Sequence, residues 1–236
     1  MTLLTICNNA ADEVGIDRPS SVIGSSDPSA QKLLRYANKA GNWLMKSVVW
    51  QALRKESTFT SIAGETQTSI LPSDFDRFVK ETFWNRTDYI LISGPVTATE
   101  WQGLKAYDYQ GDTKFAYRGD AVLLIPAPGA GKSLAFEYVS NQWCQSSGGT
   151  GQSAWAADTD VGVLDEELIL RALKFTYLTD EGLPNDVAFQ EMRDYMDTMI
   201  ENDQPAANIM VSADIFGGGR HFTGVPATSG TNINVI

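Results

Sequence analysis

"PAPGAGKS", Pro126 to Ser133, decides how the middle of this chain is read. It ends in the Gly-Lys-Ser that closes a phosphate-binding loop. That loop follows the pattern G-x-x-x-x-G-K-[ST], in which an early glycine lets the backbone curl and aim its N–H groups at phosphate ahead of a helix N-terminus. Here Pro126, which has no N–H, occupies the place of the early glycine. Ser133 is followed by "LAFEYVS", where Leu134, Phe136, Tyr138 and Ser140 share one face of a strand and Ala135, Glu137 and Val139 the other. "AVLLIP", Ala121 to Pro126, also reads as a strand. Pro128 to Lys132 is therefore expected to be the tight glycine-rich turn of a β-hairpin rather than a nucleotide site.

Working outward, the period stays at two from Ser57 to about Trp143. "STFTSIAGETQTSILP" (Ser57–Pro72) places two short strands around a hairpin turn at Ala63-Gly64-Glu65, and Pro72 stops the second. "TDYILISGP" (Thr87–Pro95) and "TKFAYRGDAVLLIP" (Thr113–Pro126) add further strands, and a hairpin turn explains the "RGD" of Arg118 to Asp120 better than an adhesion motif does. The section is expected to be an antiparallel β domain, with Trp84, Trp101 and Trp143 in its core or at its edges; a sugar-stacking platform is the competing use for them. Gly148, Gly149 and Gly151 read as a linker or flexible loop.

Helical patterns flank this domain. Thr2 to Val14 is a short helix whose end suits the left-handed cap of Gly15. Asp27 caps a long helix with Pro28 in its first turn, and the pattern runs to about Lys55. Leu33, Ala37, Ala40, Leu44 and Val48 form its buried face, with Lys32, Arg35, Lys39 and Lys46 roughly opposite; a basic stripe of this kind is most simply a solvated face. Asp165 caps a helix that is apolar on most sides through Leu168, Ile169, Ala172, Leu173, Phe175 and Tyr177, with Leu164 and Ile169 placed to staple its entry. Gly182 and Pro184 end it. A last helix, about Asp186 to Asn202, puts Phe189, Met192, Met196 and Met199 on one side and Asp194, Asp197 and Glu201 on the other. The expected class is α+β: a helical bundle of N-terminal (1–56) and C-terminal (148–205) helices, an inserted antiparallel β domain (57–147), and an extended C-terminal tail (206–236).

The chain has 236 residues, 43% of them apolar, enough for a real core. Its net charge is −11, but 13 acidic and 3 basic residues fall between Asp158 and Asp203, leaving −1 for the rest. Such a segment repels a phosphate backbone, which disfavours gripping nucleic acid and suits letting DNA slide past. No apolar run approaches the ~20 residues of a membrane helix, so no membrane partner is expected. With Cys7 and Cys144 far apart and no secretory signal, a disulfide framework is not expected, and "NRT" at Asn85 is read as chance. The single histidine, His221, lies in the glycine-rich tail with no scaffold to set it beside a nucleophile, and Asp108, Asp112 and Asp120 lack a calcium-loop pattern. No catalytic residue, metal or cofactor is expected.

Several stretches carry a family resemblance. "NNAADEVGI" (Asn8–Ile16), "WQALRKESTF" (Trp50–Phe59), "LPSDFDRFV" (Leu71–Val79), "WNRT" (Trp84–Thr87) and "ISGPVTATEWQGLKAY" (Ile92–Tyr107), in this order and followed by two closing helices and a Gly-rich tail, resemble the head-to-tail adaptor proteins of tailed bacteriophages. The resemblance covers most of the chain and is strongest from about Thr2 to Asp76 and in "WNRT" and "ISGPVTATEWQGLKAY", while the two closing helices agree mainly in placement. It implies a virion protein of the neck or tail, assembled in the host cytoplasm as a dodecameric ring beneath the portal protein. Such a ring extends the channel for genomic DNA, without sequence-specific binding, and docks tail tube, nozzle or fibre proteins. The family's C-terminal extension reaches along the portal, a role that would fall here to Ala206–Ile236, with Ile209, Met210, Val211, Ile215, Phe216, Arg220 and Phe222 as portal-binding candidates. In a ring, Lys32, Arg35, Lys39 and Lys46 would face a neighbour's acidic helix, or Asp194, Asp197 and Glu201 would line the channel. The alternatives are another tail component, a stopper or tube protein, and a carbohydrate-binding or glycosidase module.

Overall fold

A computed structural model describes residues 1–203, whose elements start where side chains can satisfy the backbone. Thr2 Oγ1 accepts the Thr5 amide at 3.3 Å to open α1 (Leu3–Val14), and Gly15, at φ 74°, closes it in the left-handed region as its sequence position predicts. Asp27 accepts the Ser29 amide at 3.1 Å and Pro28 occupies the first turn of α2 (Pro28–Ser47). The remaining elements are β1 (Arg54–Thr60), β2 (Thr66–Gln67), β3 (Phe75–Phe78), β4 (Trp84–Asn85), β5 (Ile90–Leu91), α3 (Ala98–Ala106), β6 (Lys114–Arg118), β7 (Ala121–Ile125), β8 (Ser133–Ser140), β9 (Cys144–Gln145), β10 (Gly151–Gln152), β11 (Val161–Gly162), α4 (Glu166–Asp180) and α5 (Asp186–Asp203). The fold is mixed α+β, with antiparallel sheets between the second and fourth helices.

The helix expected to reach Lys55 stops at Ser47. Its last carbonyls are taken by side chains: Trp50 Nε1 donates to the Leu44 oxygen at 2.8 Å, and Arg77 Nη2 to the Met45 and Val48 oxygens at 3.1 and 2.7 Å. These bonds satisfy the acceptors that another turn would have used. Val48 and Val49 are β-branched and favour the extended backbone that follows. Lys55 consequently lies in a strand.

Two expected hairpins are also absent. β1 and β2 join different sheets, the first pairing with β8 and the second with β7. Likewise β7 pairs with β6 and β2, whereas β8 pairs with β1, β3 and β4, so Pro126–Lys132 carries the chain from one sheet to another. Both crossings meet at Ser61. Its amide donates to the Lys132 oxygen at 2.8 Å, its own oxygen accepts from Gly131 at 2.9 Å, and its hydroxyl bridges the Lys132 amide and the Gly129 oxygen at 3.0 and 2.7 Å. The Gly131 and Lys132 amides are thus bonded within the protein, and a strand, not a helix, follows them. The β6–β7 hairpin forms as expected, with Gly119 of the "RGD" turn at φ 60°.

Helix α3 breaks the expected all-strand pattern. Thr97 Oγ1 accepts the Glu100 amide at 3.2 Å to cap it, and Trp101 packs under it on Ala116 and Leu123. On the other face of the same sheet Phe115, Val122 and Leu124 meet Leu134, Phe136 and Tyr138 of β8, with Phe83 and Ile92, to form the β core. A second core surrounds α4, joining α1, α2, Trp50, Leu53, Val139, Trp143 and Cys144. The Gly148–Gly151 stretch read as a linker turns between β9 and β10, where the Ser146 amide donates to the Thr150 oxygen at 2.9 Å.

The "LPSDF" segment links both regions through Asp74. Its carboxylate accepts from Lys55 Nζ at 2.7 Å, Ser140 Oγ at 2.8 Å and Tyr138 Oη at 3.0 Å. Burial alone would push the carboxyl up, but these bonds outweigh it and hold it below its ordinary 3.8; burial and the same carboxylate push the Tyr138 phenol up to about 12. A depressed folded pKa means that the stability Asp74 adds is present above the unfolded value and is lost as pH falls through the folded one. Asp74→Asn should cost about 2 kcal/mol, roughly 4–8 °C in melting temperature near pH 7, and should flatten the loss of stability that wild type shows in thermal melts below about pH 4. Gly41→Ala, whose added methyl would overlap the Trp143 ring, should cost about 1–3 kcal/mol by denaturant unfolding.

Candidate functional site

The candidate residues that fall within the described chain lie on two helices that flank α4. Asp165 Oδ1 caps α4 by accepting the Leu168 amide at 2.9 Å, as its position predicts, and Leu164 and Ile169 are both buried at the entry turn. α4 is apolar on most sides because α1, α2 and α5 each cover part of it. α2 runs against α4 head to tail: Lys32, early in α2, meets Glu181 just past the end of α4, while Trp50 lies beside Leu164 and Leu168 at its start. α5 does the same, with Phe189 on Phe175 at 5.3 Å and Tyr195 Oη donating to Asp165 at 3.1 Å. α2 and α5 therefore point the same way along α4.

The basic stripe is partly engaged at home. Lys32 Nζ lies 2.8 Å from Glu181, whose other oxygen accepts Tyr36 Oη at 2.8 Å, and Lys39 Nζ lies 2.7 Å from Asp180. The bond to Glu181 raises the Lys32 pKa, and those from Lys32 and Tyr36 lower that of Glu181. Arg35 stacks over the Tyr36 ring at 5.0 Å. Lys46 is exposed and has no acidic partner among the described residues. The Asp180 and Glu181 carboxylates both lie at the negative end of α4, where a cation is favoured.

The acidic segment is less of a surface than its charge total implies. Asp158 Oδ1 accepts the Val22 and Ile23 amides at 3.0 and 2.8 Å, and burial of the carboxyl is outweighed by these bonds, so its pKa is lowered. Asp160 Oδ2 accepts the Ala156 and Ala157 amides, both at 2.8 Å. Those carboxylates hold loops together. Asp194, Asp197 and Glu201, by contrast, are exposed on α5, Asp194 accepting from Gln190 at 2.8 Å and Asp197 facing Arg193 at 3.9 Å. Ile209, Met210, Val211, Ile215, Phe216, Arg220, His221 and Phe222 lie outside the described residues.

Other sequence features resolve locally. Trp101 and Trp143 are buried, and Trp84 alone of the three is exposed. Asn85 Oδ1 accepts the Thr87 and Asp88 amides at 3.1 Å, which makes "NRT" a turn. Lys132 Nζ pairs with Asp88 at 2.7 Å. Asp108, Asp112 and Asp120 are not drawn together: among the described residues no three His, Cys, Asp or Glu side chains form a metal-sized group. Sequence reasoning passed over two exposed apolar residues, Trp43 on α2 and Val187 on α5. The signal was available, since both lie off the apolar stripe of their helix. Compared with protein-family models and with curated proteins, the chain matches none.

Cys7 and Cys144 are buried free thiols in the core around α4, each pushed up to about 12 by burial, with Asp158 and Asp160 adding respectively. Neither should react with a maleimide at pH 7.5 in the native protein, and both should react in denaturant; intact-mass measurement reads the difference.

Proposed function

We propose that this chain is a structural virion protein, a head-to-tail adaptor of a tailed bacteriophage that forms a ring beneath the portal, extends the DNA channel and docks tail components. The reading rests on the resemblance of the quoted segments, and the observation that carries it is the opposed character of the two flanks of α4. α2 holds Lys32, Arg35, Lys39 and Lys46 and no acid, while α5 holds six acids and only Arg193 as a cation. A molecule with a basic helix on one flank and an acidic one on the other is complementary to copies of itself. The finer architecture belongs to the same proposal: helices from both ends of the sequence make a bundle, the β region is an insertion carried on it, and 206–236 reaches the portal through Ile209, Met210, Val211, Ile215, Phe216, Arg220 and Phe222. In such a ring either the acids of α5 meet the neighbour's cations or they face passing DNA, which they would repel.

Native mass spectrometry of the full chain, alone and with purified portal protein, tests this. A portal complex carrying a ring of copies, twelve in the adaptor family, is expected. Removal of 206–236 should abolish portal attachment while leaving the melting temperature within a few degrees. Normal attachment by the truncated chain would refute the tail's role, and no complex with any portal tried from the cognate virus would refute the adaptor reading.

A further inference from the structure

We infer that α2 of one copy packs in parallel register against α5 of the next, with Lys39 opposite Asp194 and Lys46 opposite Glu201. The inference rests on the ring reading, in that it names the surfaces by which copies meet. Its first support is spacing. One stripe of α2 runs Lys32, Arg35, Lys39, Asn42 and Lys46, exposed except for half-buried Lys32, and one of α5 runs Val187, Gln190, Asp194, Asp197 and Glu201, all exposed, both stepping three, four, three, four along one helix face. Aligning Lys32 with Val187 brings every later member of one stripe opposite its counterpart. Two of the exposed pairs in that alignment, Lys39–Asp194 and Lys46–Glu201, are then of opposite sign.

Direction is the second support. A cyclic ring of many copies turns each subunit only slightly relative to the next, about 30° for twelve, so helix direction is nearly preserved across the contact. Within one copy α2 and α5 already run the same way along α4, and they cover different sides of it. One copy can therefore present α5 to the α2 of its neighbour and leave its own α2 for the copy on the other side. A two-fold axis perpendicular to these helices would instead set them antiparallel and put Lys46 opposite Val187 and Lys32 opposite Glu201.

Apolar anchors are the third. Trp43 is 45% exposed beside Asn42 and Lys46, and Val187 is 71% exposed at the start of α5. In the aligned register Trp43 covers the turn of α5 that bears Asp197 and Thr198, and Val187 meets the aliphatic stem of Lys32, which remains partly exposed while its ammonium stays with Glu181. Charges set the alignment and these two side chains exclude water from it.

Site-directed disulfide formation in the full chain tests the register, because the native Cys7 and Cys144 are buried and their thiols stay protonated. Asn42→Cys with Asp197→Cys should give, under mild oxidation with and without portal, a ladder of dimer, trimer and higher species. Asn42→Cys with Val187→Cys, out of register, should form it at least ten-fold more slowly. Lys46→Glu added to the in-register pair should cut the ladder about ten-fold, and Glu201→Lys added to that should restore it. A ladder stopping at dimer, equal rates for both pairs, or failed restoration overturns the inference. Rings seen by native mass without an in-register ladder overturn it and leave the ring reading standing; absence of both rings and ladder removes the two together.

Discussion

Adjacent residues of one strand are committed to two different cores, and the rest of the structure depends on that commitment. Tyr138 points into the β core and Val139 into the core around α4. Because side chains alternate across a strand, β8 cannot slip by one residue without exchanging every contact on both sides. β1 follows β8 over its whole length, from Arg54 opposite Val139 to Thr60 opposite Ser133, so the register extends from the helices to the far end of the sheet. Asp74 locks the junction from the other edge, bonding Tyr138 and Ser140 on β8 and Lys55 on β1. The helical core and the β core are thus joined through one pleated element.

Local chemistry was legible in the sequence, and partnership was not. Thr2, Gly15, Asp27, Pro28 and Asp165 mark helix ends through bonds made within a few residues, so their positions alone identify them. Strand identity was similarly visible in "AVLLI" and "LAFEYVS". Which strands pair was decided elsewhere: Ser61 engages the Pro126–Lys132 segment from far away in the chain, and nothing in "PAPGAGKS" names that partner. The glycines looked like a hairpin turn because a crossing between sheets needs the same backbone freedom, here at Gly131 with φ 85°. The end of α2 was missed for a comparable reason, since Arg77 supplies its capping bonds from a later strand. α3 was a different kind of miss. "TATE" carries a capping signal at Thr97 and Glu100, and "AVLLI" is apolar at every position, which already implied cover on both faces of β7.

Charge was the least transferable part of the sequence reading. Summing formal charges treats every carboxylate as surface, yet Asp158 and Asp160 bind loop amides, while Asp180 and Glu181 bind Lys39 and Lys32 at the end of α4. What remains directed outward is the acidic face of α5 and a basic face of α2 whose most independent member is Lys46. Both stripes lie on helices, and formal charge alone did not reveal which of their members are used within the chain. Water and salt screen pairs of this exposure, so the two lysine bridges to α4 orient side chains more than they stabilise the fold.

The same weakness bears on assembly. If exposed ion pairs are individually feeble, a ring held by them alone would dissolve at moderate salt, where screening acts within ~8 Å. An apolar component is needed, and a free chain with a large apolar face would instead associate without order. In the proposed ring, Trp43 and Val187 would offer an intermediate solution: single exposed side chains on different helices, each covered only when copies meet in one register. Because the two surfaces differ, every copy added to the proposed ring would present a fresh α2 or a fresh α5, and growth would end only on closure. In the proposed ring, register specified by charge with modest apolar burial at each contact would make the closed form far more stable than any open fragment, since closure adds one more contact without the entropy cost of bringing in another copy.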